Sequence, residues 1–172
     1  MTDQLIETVA DGVATLTMNR PEARNALTGD MQAALSEAIP RLAADRKVRA
    51  VVITGAGRAF CAGGDVKGFA SAAASGATSG EGFSLEARAY GLRQSADICR
   101  VLHEMPKPTL AVIPGPAAGA GLSIALACDL RIAADDAKLT TAFSKVGIRV
   151  PLANRHISDA EHPAKLPNCL YV

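Results

Sequence analysis

Two stretches of this 172-residue chain set small residues between an apolar strand-like run and a helix-like run. They are Phe60-Cys61-Ala62-Gly63-Gly64-Asp65-Val66 and Gly115-Pro116-Ala117-Ala118-Gly119-Ala120-Gly121. The chemistry such junctions offer belongs to the backbone. N–H groups at a helix start lack intrahelical acceptors and aim outward, where they hold an anion or an oxygen that is gaining negative charge. Either junction alone reads as glycine serving a positive φ or a close strand–helix contact. Two in one short chain favour a site built from paired amides.

Side-chain chemistry has weaker support. Gly121-Leu122-Ser123-Ile124-Ala125 approaches the G-x-S-x-G pattern, and Asp129, Asp135, His156 and His162 follow in the order a serine hydrolase using Ser123 would need. A nucleophile elbow places its serine directly after a strand, whereas ten positions separate Ser123 from Ile113. Ser123 therefore reads as a helix residue facing the pocket or a neighbour. A dinucleotide fold would need glycine where Phe60 and Ile124 stand. His103, His156 and His162 have no paired ligand, and Cys61, Cys99, Cys128 and Cys169 lie far apart with no C-x-x-C, so no metal is expected. Cys61 and Cys128 read as small buried residues.

The elements that position these junctions follow from periodicity. Leu5 to Ala10 and Val13 to Met18 are β-rich and flank Asp11-Gly12, which predicts a hairpin. Thr28 is placed to cap a helix on which Met31, Ala34, Leu35, Ala38, Ile39 and Leu42 share a face, with Pro40 expected to kink or split it. Val48 to Thr54 predicts a strand stopped by Gly55-Ala56-Gly57. Residues 69–86 are rich in Ala, Ser, Gly and Thr and read as a mobile loop or frayed helix. A second helix with Leu92, Ile98, Cys99, Leu102 and Met105 on its apolar face ends at Pro106, and Thr109 to Ile113 is a buried strand. Leu122 to Cys128 then predicts a buried helix and Leu130 to Ala133 a further strand. Residues 149–172 show no sustained period.

Composition narrows the partner. Hydrophobic residues make up 49% and charged residues 20%, which is the makeup of a globular chain and not of a disordered one. A net charge of +1 without a Lys/Arg block argues against a nucleic-acid footprint or a polybasic membrane contact and leaves a small molecule. The run from Thr109 to Cys128 is too broken by Pro and Gly to span a membrane. A polar start without a signal peptide and scattered cysteines fit a reducing cytoplasm.

Five ordered motifs resemble the crotonase family, the enoyl-CoA hydratase/isomerases. They are Asn19-Arg20-Pro21-Glu22-Ala23-Arg24-Asn25-Ala26-Leu27; Val51-Val52-Ile53-Thr54-Gly55; Ala59-Phe60-Cys61-Ala62-Gly63-Gly64-Asp65; Lys107-Pro108 with Ala117 to Gly121; and Ala127-Cys128-Asp129-Leu130-Arg131. The likeness extends through Lys138 to Ile148, so residues 1–148 read as a crotonase-like core. The resemblance implies an α/β crotonase-type ββα spiral that binds an acyl-CoA thioester and holds its enolate-like oxygen with the backbone N–H groups of Gly64 and Ala120. It implies that the backbone around Ala23, Ala62 and Asp65 lines the CoA path, with Arg24 and Lys67 as phosphate contacts or solvated surface. Coenzyme A enters as part of the substrate, with no separate cofactor, and the family assembles as homotrimers or hexamers.

Departures from the family pattern matter as much. The two glutamates with which hydratases add water correspond here to Ser123 and Phe143, and neither can be a carboxylate base. The acid that a related subset places near Pro151 is missing, since no Asp or Glu occurs between Asp136 and Asp159. Residues 149–172 match nothing in the family and read as a shifted-frame or disordered tail on a C-terminally truncated domain. A catalytically inactive CoA-binding remnant is thus the alternative to an active hydratase or isomerase.

Overall fold

The computed structural model describes residues 3–65, 93, 97–142 and 169–171. Strands β1 (Leu5–Ala10) and β2 (Val13–Met18) form the expected hairpin, paired from Leu5 with Met18 to Ala10 with Val13. Asp11 at φ 50° and Gly12 at φ 79° make the tight turn, since a two-residue turn that follows strand twist needs positive φ at both positions. Along β2 the side chains alternate, so Ala14, Leu16 and Met18 enter the core while Val13 is exposed.

Helix α1 (Gly29–Ala44) begins at Thr28, whose hydroxyl accepts from the Met31 N–H at 3.1 Å. Met31, Leu35, Ala38, Ile39 and Leu42 are buried along one face. Pro40 does not split the helix. Proline removes only one backbone donor, and at this exposed position one turn before the end the flanking Ile39 and Leu42 keep the segment packed. Beyond the helix, Lys107 Nζ donates to the carbonyls of Leu42 and Asp45 at 2.6 and 2.5 Å, satisfying acceptors that a helix end leaves open.

Strands β3 (Ala50–Gly55), β4 (Thr109–Ile113) and β6 (Leu130–Ala133) add in parallel to β2, with helical residues 97–104, α2, before β4. Strand β8 (Cys169–Tyr171) completes a sheet of order β1-β2-β3-β4-β6-β8. Val51, Ile53, Ala111, Ile113 and Ala133 project from it into the core. Strand β8 falls within residues 149–172, which show no sustained period, and it pairs with the N–H and C=O groups on the outer edge of β6. The loop expected at 69–86, together with Lys67, Leu92, Phe143, Pro151, His156 and His162, lies outside the described residues.

A second, two-stranded sheet was not legible in the sequence: β5 (Ala117–Ala118) pairs in parallel with β7 (Leu139–Thr140). Helix α3 (Ala120–Ala127) follows β5 and starts two residues earlier than its apolar run suggested, which puts Ala120 at its first position. It is apolar on all sides, with Gly121, Leu122, Ser123, Ile124, Ala125 and Ala127 buried. At its C-terminal end, Arg131 Nη1 donates to the Cys128 carbonyl at 2.7 Å. The Asp129 carboxylate accepts from both the N–H and the hydroxyl of Thr109 at 2.8 Å, joining the starts of β4 and β6.

Candidate functional site

The two small-residue junctions lie against each other. Cys61 bridges Ala117 in parallel, the Phe60 and Cys61 N–H groups donate to the Pro116 carbonyl at 3.0 and 3.3 Å, and the Ala118 N–H donates to the Cys61 carbonyl at 2.9 Å. On the other side of the same segment, Leu27 bridges Gly64: the Leu27 N–H donates to the Gly63 carbonyl at 2.8 Å, and the Asp65 N–H donates to the Leu27 carbonyl at 3.2 Å. In a trans peptide the N–H of one residue points opposite to the carbonyl before it. Because the Gly63 carbonyl faces Leu27, the Gly64 N–H faces away from it. No acceptor for that N–H is found among the described residues.

At the second junction, the Ala120 N–H likewise has no acceptor among the described residues. Gly119 sits at φ 51°, ψ −123°, a conformation open to glycine, and its N–H donates to the Thr140 carbonyl at 3.0 Å. Ala120 then opens α3, and as the first helical residue its N–H has no intrahelical acceptor, while glycine at the cap supplies no side chain. A Cβ placed on Gly63 would stand 3.6 Å from the Ala120 nitrogen, so the two loops meet at the point where these amides emerge. Gly64 and Ala120 are both half-buried. Such a pair, with a helix N-terminus behind one member, is suited to holding one oxygen that carries partial negative charge.

The neighbouring segment holds Ala23 and Arg24 of the other residues expected at the site, Ala62 and Asp65 belong to the glycine segment itself, and Lys67 lies outside the described residues. Pro21–Ala23 form one 3₁₀ turn, Arg24 and Asn25 follow at φ 51° and 56°, and the Ala62 N–H donates to the Arg24 carbonyl at 2.9 Å. Ala23 is half-buried, while Arg24 and Ala62 are exposed beside the glycine segment. Asp65 belongs to the same cluster, but its carboxylate has a role the sequence did not reveal: Arg20 Nη1 donates to it at 3.1 Å. Asn25 was likewise missed as an organiser. Its fully buried amide donates to the Ala56 and Ala59 carbonyls at 2.9 and 2.8 Å and accepts from the Arg20 N–H at 2.8 Å. Both lie within a motif noted for its pattern, and only the fold gives them partners.

A serine-centred relay is not assembled among the described residues. The Ser123 hydroxyl is buried and donates to the Gly119 carbonyl at 3.3 Å, Asp129 is engaged by Thr109, and His103 is exposed on α2. Cys61 and Cys128 are buried and Cys99 is half-buried, and desolvation pushes Cys61 and Cys99 up to about 11 and Cys128 up to about 12, which disfavours the reactive thiolate.

Comparison with known proteins adds to this geometry. A family profile described as enoyl-CoA hydratase/isomerase matches residues 8–157. The chain is 39% identical over 148 residues to the 1,2-epoxyphenylacetyl-CoA isomerase of Escherichia coli, covering 86% of this chain and 54% of that one. It is 40% identical to the 4-chlorobenzoyl coenzyme A dehalogenase-1 of an Arthrobacter species, covering 80% of this chain and 48% of the relative. In three dimensions it resembles the crystal structure of an enoyl-CoA hydratase from Polaromonas, with a TM-score of 0.74 at 33% identity, covering 91% of this chain and 57% of that one. The chain thus spans about half the length of the curated relatives it matches. Among the described residues, no helix is long and apolar enough to cross a membrane.

Proposed function

We propose, since the chain belongs to the enoyl-CoA hydratase/isomerase family, that it binds an acyl-CoA thioester and stabilises an enolate-like oxygen between the backbone N–H groups of Gly64 and Ala120. The observation that carries this reading is the convergence of two amides without described acceptors at the contact between the glycine segment and the start of α3. A thioester carbonyl gains negative charge when its α-carbon loses a proton or its β-carbon is attacked, and donors fixed beforehand stabilise that charge without reorganising. Losing one such donor costs about 3 kcal/mol of barrier.

In this reading the backbone at Ala23, Ala62 and Asp65 flanks the CoA moiety, with Arg24 and Lys67 near its phosphates. Coenzyme A arrives with the substrate, the working form is a homotrimer or hexamer, and the setting is the cytoplasm. With Ser123 in place of a carboxylate, the chemistry favoured is enolate formation and proton transfer over two-carboxylate hydration. That same substitution favours, as a second reading, CoA binding without turnover.

Three measurements on the full chain separate these readings: thermal shift with free CoA, α-deuterium incorporation into butyryl-CoA in D₂O, and hydration of crotonyl-CoA. Stabilisation with deuterium exchange supports the enolate reading. Stabilisation without exchange or hydration supports binding alone. Absence of any effect of CoA overturns both.

A further inference from the structure

We infer that Arg20 is a positioning residue for the Gly64 amide, an assignment that rests on the paired-amide reading above. A single nitrogen of its guanidinium, Nη1, donates to the Ala26 carbonyl at 3.0 Å and to Asp65 Oδ2 at 3.1 Å. Ala26 immediately precedes Leu27 and Asp65 immediately follows Gly64, and Leu27 and Gly64 are the two partners of one isolated bridge. Arg20 therefore straddles that bridge from outside and ties its two chains together.

The direction of the Gly64 N–H depends on this bridge, because the peptide plane that carries it also carries the Gly63 carbonyl bonded to Leu27. Glycine has no Cβ to restrict rotation, and one bridge supplies only two hydrogen bonds, the weaker at 3.2 Å. The charged strap adds a third tie at the next residue. Both of its side chains are only 21% exposed, so solvent weakens it less than an ordinary surface pair. Arg20 is itself held in place, since its N–H donates to Asn25 Oδ1 and Asn25 is anchored on the carbonyls of Ala56 and Ala59. Its second carboxylate neighbour, Glu22 at 3.8 Å, is largely exposed and leaves the geometry to Asp65.

The test uses butyryl-CoA labelled with ¹³C at the thioester carbonyl, read by difference infrared spectroscopy on the full chain, alongside the affinity for free CoA. Hydrogen bonds from two fixed amides lower the carbonyl stretch of the bound thioester. Arg20→Met is expected to lose about half or more of that lowering, as removal of one well-aimed donor would. Over the same change, free-CoA affinity should move by less than about threefold. Arg20→Lys, which keeps a cation within reach of Asp65, should recover most of the shift. Should Arg20→Met fail to fold, Arg20→Gln, which removes the charge and shortens the reach to Asp65, carries the same expectation. A full carbonyl shift in these variants overturns the inference, as does a parallel loss of shift, CoA affinity and melting temperature that Arg20→Lys does not rescue. A wild-type chain that binds butyryl-CoA with no lowering of the stretch overturns the paired-amide reading itself, and the role of Arg20 with it.

Discussion

The backbone of Gly121 approaches Cys61 so closely that a Cβ on the glycine would stand 2.5 Å from the Cys61 Cβ and 2.7 Å from its Sγ. This contact seats the first turn of α3 on the segment leading to Gly64, and so sets the distance between the two amide-bearing loops. Gly121→Ala must push the two backbones apart. The expected cost is about 1–3 kcal/mol, as for other overpacked cores, measured as a lower urea midpoint at unchanged slope. Adding Cys61→Gly should return part of that loss. Simple additivity of the two changes would place the cost elsewhere.

Asn25 ties three backbone groups together through one buried side chain at a positive φ. Asn25→Ala leaves the Ala56 and Ala59 carbonyls and the Arg20 N–H without their partner, and a non-glycine residue still has to hold φ 56°. A destabilisation of about 2–4 kcal/mol is expected in urea unfolding, since each orphaned buried group costs on the order of 1 kcal/mol or more. A loss below 1 kcal/mol would mean that water replaces the side chain there.

The buried thiols predict how stability changes in alkali. Cys61 and Cys128 are held above their ordinary value of 9.0, at about 11 and about 12, because burial disfavours the thiolate. The folded chain therefore keeps its thiol protons where the unfolded chain releases them. Their contribution is complete below pH 9 and declines as pH rises from 9 towards 11 or 12. Urea midpoints should fall across that range, and fall less in Cys61→Ala than in the parent. At pH 8 the native thiols should react with a disulfide reagent far more slowly than those of the urea-unfolded chain. Equal rates would show that these cysteines are open to solvent.

Ser123 tests the competing hydrolase chemistry. Its hydroxyl donates within its own helix to the Gly119 carbonyl, so a fluorophosphonate probe should leave it unlabelled. Ser123→Ala should cost about 0.5–1.5 kcal/mol of stability, the worth of one neutral hydrogen bond. Stoichiometric labelling of Ser123 would raise the serine hydrolase from the weaker alternative to the leading function.

Much of the scaffold was legible because its signals are local. Asp11-Gly12 dictates a hairpin wherever it lies, Thr28 caps α1 through a residue three positions on, and the alternation in Val13–Met18 marks which side chains enter the core. Short elements were missed for the converse reason. Ala117–Ala118 and Leu139–Thr140 are too brief to carry a period, and each becomes a strand only by meeting the other. Pro40 shows a local rule yielding to packing, since a continuous buried face carries α1 past it.

The sequence by itself determined the order of the longer strands and helices and of the two glycine-rich junctions between them, because turn preference and hydrophobic period act between near neighbours. The tertiary structure decided where the amides of those junctions aim. Arg20 reaches Asp65 across 45 positions of sequence, and Asn25 reaches Ala59 across 34. Such pairings depend on how distant segments pack, and nothing in a one-dimensional pattern distinguishes these polar side chains from solvated ones until the sheets have brought Leu27, Gly64 and Ala120 together.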